Sequence, residues 1–235
     1  MPTRAWLLKL DEFAPDGKKV RELAQLLSAD ERVRRDSFRS ASARQHFLLS
    51  RLLLRRVLGE ITGRPPQALR FERLPSGKPE LVDEPGLHFS LSHSGDWIAL
   101  AVSEDSPVGV DIEQPRRQRD IMRIAHRYFH ADECALLEAP PESETLRQFY
   151  RLWTLKEAFF KARGTGISEG LDRISFASFE RDHRAVIDPE LEGDAPWQFY
   201  YAENPLAESR DFYLAVAGQD PDLERLHLVR GLPGK

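Results

Sequence analysis

The chain has 235 residues, enough for one large or two small domains with a hydrophobic core. Apolar residues make up 41% and charged residues 31%, which is typical of a soluble globular protein, and no apolar run approaches the roughly 18 residues of a membrane span. The formal net charge of −4 argues against a general nucleic-acid binder, because such proteins are usually basic.

The compartment can also be predicted from the sequence. The N-terminal segment lacks a basic leader followed by a long apolar core, so we expect no secretory signal. Cys134 is the single cysteine, so no internal disulfide can form. These observations favour a cytoplasmic protein.

The first half of the chain predicts a strand, two short helices, a long helix and three strands. Residues 4–10 favour the first strand, and Ser28 with Glu31 forms a capping-box pattern at the start of the second short helix. Leucines at helical spacing predict the long helix over 42–59. Three further strands are predicted, separated by Gly- and Pro-containing turns, near 69–74, 87–92 and 97–103.

The same order recurs in the second half. VGVDIE at 108–113 predicts a strand, short helices follow, and a long helix is predicted over about 144–163. Strands are then predicted at 173–179, 197–203 and 211–217. No residue-level repeat accompanies this matching order.

We therefore predict an α+β fold of two pseudo-duplicated halves. Each half would be a long helix packed on a small, mostly antiparallel three-stranded sheet, with the active site at the interface between them. The predicted boundaries are 1–105, 106–218 and a C-terminal tail at 219–235.

The strand at 108–113 carries two carboxylates on one face. Because alternate side chains of a strand share a face, Gly109, Asp111 and Glu113 point together. Two carboxylates beside a glycine suit a hard divalent cation such as Mg²⁺. The alternative is an ordinary amphipathic edge strand, and the motif by itself does not decide between them.

The segment WTLKEAFFK at 153–161 places charges in an apolar helix. Glu157 and Lys161 lie on one stripe with Trp153, while Lys156 lies about 100° from Glu157. One interpretation is that Glu157 and Lys161 form an exposed ion pair on the helix surface. Since aromatic and aliphatic residues cover much of the circumference, we favour charges that converge on a metal and phosphate groups.

Two further stretches contain polar residues in turns. His93 ends the strand in HFSLSHSGDW, where it could bind an anion or be a satisfied core histidine. Lys78 lies in the turn PSGKPEL, where a solvated lysine is the alternative. The sequence contains no G-x-S-x-G elbow, no Walker loop, no G-x-G-x-x-G fingerprint and no cluster with zinc spacing.

Taken together, these motifs resemble the 4′-phosphopantetheinyl transferases of the surfactin-synthetase-activating (Sfp) type. The likeness covers most of residues 28–176. It is carried by the following stretches, in this order: LSADERVRRDSF, SGKPEL, FSLSHSGDWIALAV, VGVDIE, RYFHADE and RLWTLKEAFFKARGTGIS.

The resemblance implies an enzyme that transfers phosphopantetheine from coenzyme A to a serine of an apo acyl or peptidyl carrier protein, releasing adenosine 3′,5′-bisphosphate. It implies Mg²⁺ bound by Asp111, Glu113 and Glu157. Glu157 is our predicted base, and Lys161 and His93 would reduce the charge repulsion met by the incoming serine oxygen.

By the same resemblance, several residues should contact coenzyme A, mainly through its phosphates. They are Arg34, Arg44, Lys78, Ser92, His93, Lys156 and Lys161. Lys156 and Lys161 would lie near the pyrophosphate, His93 and Ser92 at a phosphate, Lys78 at the nucleotide end, and Arg34 and Arg44 at the 3′-phosphate.

The carrier protein should dock beside the metal strand. The predicted docking surface comprises Arg116, Arg117, Arg119, Arg123 and Arg127, with Tyr128 and Phe129. One chain should suffice for the site, so we expect a monomer that binds neither nucleic acid nor a membrane. The alternative function is a non-catalytic coenzyme A-binding protein.

Overall fold

The computed structural model describes residues 2–13, 17–104, 106–115, 120–139, 141–166, 169–207 and 212–233. Its mixture of small sheets and helices confirms the predicted α+β class.

The first half begins with strand β1 and three helices. These elements are β1 (Arg4–Lys9), α1 (Gly17–Ala24), α2 (Ala29–Ser37) and α3 (Ala41–Thr62). The predicted capping box is present at α2: the Ser28 hydroxyl accepts the Glu31 N–H at 3.2 Å, and the Glu31 carboxylate accepts the Ser28 N–H at 3.0 Å. Helix α3 ends at Gly63, which adopts the left-handed conformation that glycine tolerates.

Four strands complete this half: β2 (Phe71–Arg73), β3 (Pro79–Leu81), β4 (Leu87–Ser94) and β5 (Trp97–Glu104). Strands β2 and β3 form a separate hairpin, and β4 and β5 pair antiparallel across a tight turn at Gly95. Strand β5 also pairs antiparallel with β1.

The second half repeats this order with additional short elements. Its main elements are β6 (Val108–Glu113), α4 (Ile121–Tyr128), α5 (Ala131–Glu138), α6 (Glu142–Arg163), β9 (Gln198–Glu203) and β10 (Tyr213–Gly218). Between α6 and β9 lie β7 (Ile174–Ser175), α7 (Phe179–Asp182), β8 (Val186–Ile187) and α8 (Pro189–Glu192). The sheet order is β6-β10-β9, all antiparallel.

Within the predicted tail at 219–235, the described residues 219–233 are part of the fold. Residues His227–Arg230 form strand β11, which pairs parallel with β1 and gives the first sheet the order β11-β1-β5-β4. Leu223 and Leu232 are buried in the core. The C-terminal segment is therefore the fourth strand of the first half's sheet, because its apolar side chains complete that core.

Among the described residues, the core consists of three hydrophobic clusters. One lies between α3 and the first sheet, and a second surrounds α6 and the second sheet. The third joins the two sheets: Val108, Val110 and Ile112 of β6 pack with residues such as Leu7 and Trp97 of the first sheet. The apolar face of β6 therefore points to the first half, and its other face points to α6.

Candidate active site

Strand β6 lies directly against helix α6. Gly109 has no side chain at the contact, and a Cβ there would clash with the backbone of Ala158 and Ala162. The glycine thus permits an approach that any larger residue would prevent. Because Asp111 and Glu113 share its face, they lie beside the part of α6 that carries Glu157 and Lys161.

Asp111 is the centre of a buried hydrogen-bond network. Only 4% of the residue is exposed. Its Oδ1 accepts from Lys161 Nζ at 2.6 Å and from Ser92 Oγ at 2.7 Å, and Lys161 Nζ also donates to Ser92 Oγ at 2.9 Å. The other oxygen, Oδ2, is buried without a hydrogen-bond partner. A buried carboxylate oxygen without a partner is costly, and a bound cation would satisfy it.

Glu157 lies close to the same carboxylates. Burial is the main cause that raises its pKa to about 7. The negative charges of Asp111 and Glu113 also raise the pKa, and the positive charge of Lys161 opposes them. Within the described residues, no three acidic, His or Cys side chains stand in a ready metal-coordinating arrangement. Asp111 and Glu113 lie close enough to Glu157 for their charges to raise its pKa, and the binding of Mg²⁺ by all three residues stays a prediction.

A pocket of about 620 Å³ opens from Glu113 toward α2 and α3. His93 stands at its edge with its ring partly exposed, 5.4 Å from the ring of His46. Burial of the remaining ring, then the charges of His46 and Lys161, lowers the pKa of His93. The His93 ring therefore gains a proton less readily than an unperturbed imidazole, and a bound anion would favour its protonated form.

Three guanidinium groups line the other side of this pocket: Arg34, Arg51 and Arg73. Burial lowers the pKa of Arg51, and Arg73 and Arg34 lower it further, although Glu31 lies 3.8 Å away and opposes them. Like charges held together in a partly buried pocket favour an anionic ligand.

Lys156 does not lie in this pocket, which corrects its predicted contact with coenzyme A. Its side chain is fully buried, with Nζ 2.7 Å from Glu133 Oε2. The ammonium also donates to Leu171 O at 2.7 Å and to Ile174 O. All three donors are therefore used within the second half, and none is left for a phosphate.

Lys78 and Arg44 are also engaged elsewhere. Lys78 Nζ donates to Ala162 O at 2.9 Å, and burial lowers its pKa to about 8. Arg44 donates to Phe38 O at 2.7 Å and to Arg39 O at 3.2 Å, at the end of α2. Neither residue lines the pocket, so their positions do not support the predicted nucleotide and 3′-phosphate contacts.

Several residues of the site were absent from the sequence-based prediction. His46, Ser50 and Arg51 are polar positions on one face of the leucine-rich α3, and this helical spacing was an available signal. Arg73 reaches the pocket from the β2–β3 hairpin, and no local sequence pattern connects it to α3. Ser94 lies in the motif FSLSHSGDWIALAV and Glu133 in RYFHADE. Their roles follow only from their contacts in the structure, with Glu113 for Ser94 and with Lys156 for Glu133.

The predicted docking surface is described only in part. Arg116, Arg117 and Arg119 lie outside the described residues. Arg123 and Arg127 are exposed on α4, whereas Phe129 is buried and stacks on Phe149 at a centroid distance of 5.4 Å. Phe129 is therefore a core residue and not part of a surface.

Comparison with known proteins identifies the family of this chain. Residues 107–217 match the model of the 4′-phosphopantetheinyl transferase superfamily, and residues 11–105 match the model of a 4′-phosphopantetheinyl transferase N-terminal domain. The chain is 36% identical over 170 residues to the 4′-phosphopantetheinyl transferase psf-1 of Bacillus pumilus, covering 72% of this chain and 71% of that protein. The chain belongs to the 4′-phosphopantetheinyl transferase family.

Other relatives agree with this placement. The 4′-phosphopantetheinyl transferase HetI of a Nostoc species is 37% identical over 175 residues, 73% of this chain and 72% of that protein. A 4′-phosphopantetheinyl transferase of Bacillus subtilis is 30% identical over 213 residues, 91% of each chain. The predicted family and enzyme class are therefore confirmed. None of the helices in the described parts of this transferase is long and apolar enough to cross a membrane.

Proposed function

We propose that this transferase moves the 4′-phosphopantetheine group of coenzyme A to a serine hydroxyl of an apo acyl or peptidyl carrier protein. The observation that carries the proposal is the junction of the two halves. There, a pocket lined by arginines and histidines opens onto Glu113, next to the buried Asp111 and the partly buried Glu157 and Lys161. Coenzyme A is complementary to this pocket, because its pyrophosphate and its 3′-phosphate are both negatively charged.

The acidic cluster fits a divalent cation. Carboxylate oxygens are hard ligands, and Asp111 Oδ2 is buried with no other partner. Asp111, Glu113 and Glu157 are the residues that would hold Mg²⁺, which when bound would neutralise pyrophosphate charge and stabilise the charge that develops on the leaving phosphate.

The reaction exchanges one P–O bond for another. The serine oxygen bonds to the phosphorus that carries the pantetheine arm, and the bond from that phosphorus to the bridging oxygen breaks. Adenosine 3′,5′-bisphosphate leaves with the bonding electron pair. We assign Glu157 as the acceptor of the serine proton, because it is the carboxylate of α6 beside Asp111 and Glu113; in the metal-free protein, burial raises its pKa to about 7.

The cationic groups have separate tasks in this scheme. Lys161, 2.6 Å from Asp111, would offset the negative charge that the serine oxygen approaches. His93, whose ring is partly exposed, would contact phosphate at the pocket edge. Ser92 has 6% of its surface exposed and donates to Asp111, so we assign it to orienting that carboxylate.

We propose the cytoplasm as the setting and a monomer as the active form, since the junction of one chain brings these residues together. Exposed arginines Arg123 and Arg127 would face an acidic helical carrier domain.

The test of the proposal is the mass of the carrier. Incubation with coenzyme A, Mg²⁺ and an apo-carrier protein should raise the carrier's mass by one phosphopantetheine group. A panel of acyl and peptidyl carriers would identify the preferred acceptor. If coenzyme A binds and no carrier in the panel gains mass, the alternative of a non-catalytic coenzyme A-binding protein is supported.

The arginines should recognise the 3′-phosphate. We expect Arg51→Gln to weaken coenzyme A binding by roughly 10- to 100-fold, since a hydrogen bond to a charged group contributes about 1.5–3 kcal/mol. Calorimetry with coenzyme A and 3′-dephospho-coenzyme A measures this effect. The affinity for the dephospho compound should not change.

Arg44→Gln is the matched control, because Arg44 lies on the same helix and donates to the end of α2. It should leave the preference for coenzyme A over the dephospho compound intact. A loss of this preference in Arg44→Gln, with none in Arg51→Gln, would reverse our assignment.

A further inference from the structure

Strands β4 and β6 lie side by side but belong to different sheets. Serine hydroxyls on β4 cross the gap between them. Ser90 Oγ accepts the N–H of Val110 at 3.1 Å, and Ser94 Oγ accepts the N–H of Gln114 at 3.0 Å. These side chains act as the acceptors that backbone carbonyls supply within a sheet.

Ser94 makes a second contact. Its hydroxyl donates to Glu113 Oε2 at 2.8 Å, and the residue is only 9% exposed. A hydroxyl has one proton to donate, so the bonds to Gln114 and Glu113 together determine its orientation. Within the described part of the chain, Ser90 has the backbone contact and no bond to a carboxylate, although it lies on the same face of β4.

The turn after Ser94 is also attached to the end of β6. The Gln114 side chain accepts the N–H of Asp96 at 3.3 Å and lies over Gly95, where a Cβ would clash with it. Gly95 has a φ of 57°, which glycine adopts without strain. Ser94 is therefore held in place from both sides and provides a rigid donor to Glu113.

We infer that Ser94 is a positioning residue that aims the Glu113 carboxylate at the divalent cation. This inference rests on the proposed function, in which Glu113 helps to hold Mg²⁺. A hydroxyl bond to one carboxylate oxygen limits rotation of the Glu113 side chain and so fixes the direction in which the carboxylate points. Partners of this kind orient metal ligands, and their loss typically lowers metal affinity 10- to 100-fold.

Mn²⁺ binding in the presence of saturating coenzyme A tests the inference, with free Mn²⁺ measured by electron paramagnetic resonance. We expect Ser94→Ala to weaken Mn²⁺ binding by about tenfold or more. Ser94→Cys should show a similar loss, because a thiol is a weak donor of nearly the same size. Ser94→Thr, which keeps the hydroxyl, should bind Mn²⁺ close to wild type.

Ser90→Ala is the matched control, since it removes a link between the same two strands without touching a carboxylate. It should bind Mn²⁺ as wild type does. Equal losses in Ser90→Ala and Ser94→Ala would overturn the inference, because both would then report a general loosening of the two strands. Unchanged Mn²⁺ binding in Ser94→Ala would also overturn it. If Ser94→Ala does not fold, the comparison of Ser94→Cys with Ser94→Thr decides.

The wild-type protein separates this inference from the proposed function. Wild type that modifies the carrier and binds Mn²⁺, while Ser94→Ala binds Mn²⁺ equally well, refutes only the role of Ser94. Wild type that binds coenzyme A but modifies no carrier refutes the proposed function.

Discussion

Glu157→Gln should lower the rate of phosphopantetheine transfer by at least about 10²-fold while leaving the protein folded. Replacement removes both the proposed proton acceptor and one of three proposed metal ligands, and general acid–base catalysis alone contributes about 10²–10⁴-fold. Transfer is measured as carrier mass against time at saturating coenzyme A and Mg²⁺. Glu144→Gln, at an exposed position in the first turn of the same helix, is the control and should keep the wild-type rate.

Glu157→Gln should also be more stable than wild type at pH 8 when both proteins are free of metal and coenzyme A. Burial and the charge of Asp111 raise the pKa of Glu157 from 4.5 to about 7 in the folded protein. A raised pKa means that the folded state binds the proton more tightly than the unfolded state. Stability from this group is therefore present at low pH and is lost as the pH rises from about 4.5 through 7.

Thermal unfolding over this pH range measures the difference. The variant should gain little over wild type near pH 4.5 and most above pH 7, where wild-type Glu157 is ionised. Full transfer activity in Glu157→Gln with normal coenzyme A binding would contradict its role as base. Equal unfolding temperatures at pH 8 would contradict the raised pKa of Glu157 in the folded protein.

Lys156→Met should destabilise the fold by about 3–5 kcal/mol, because it leaves Glu133 as an unpaired charge in the core. Glu133 also accepts the N–H of Phe176 at 2.8 Å, so it connects α5 to the segment after α6. For a chain of this size, the unfolding temperature should fall on the order of 10 °C. Circular dichroism during heating measures it. The exposed Arg147–Glu203 pair offers a control, and Arg147→Gln should cost less than about 1 kcal/mol.

Lys156 could stabilise the core or contact the pyrophosphate, as the sequence motif implied. Coenzyme A binding by Lys156→Met at low temperature distinguishes these two roles. The folded variant should bind coenzyme A within about twofold of wild type, because the ammonium contacts only protein groups. A variant that keeps its stability but loses coenzyme A affinity would restore Lys156 to the phosphate site. Adding Glu133→Gln should recover part of the lost stability, since the two residues interact directly.

Much of the acidic cluster could be predicted from local periodicity. The period of two in VGVDIE places Gly109, Asp111 and Glu113 on one face, and the structure shows that face against α6. The i, i+4 spacing of Glu157 and Lys161 likewise places both on one side of their helix. These relations hold because strand and helix geometry set which neighbouring side chains share a face.

The tertiary structure alone decided which charged residues reach the pocket. Lys156 is adjacent to Glu157, yet it faces Glu133, 23 positions earlier in the chain. Arg51 and Arg73 come from a helix and a separate hairpin, and they meet only because α3 and the β2–β3 hairpin pack into the same hydrophobic cluster.

The sequence by itself determined the composition and the order of the main elements. It also determined which residues share a face of β6 and of α6, because these relations depend on residues a few positions apart. The direction of Lys156, the arginine-lined pocket and the place of β11 beside β1 depend on contacts between distant segments. Local spacing does not encode those contacts, because they are set by which faces pack together when the two halves close around their shared core.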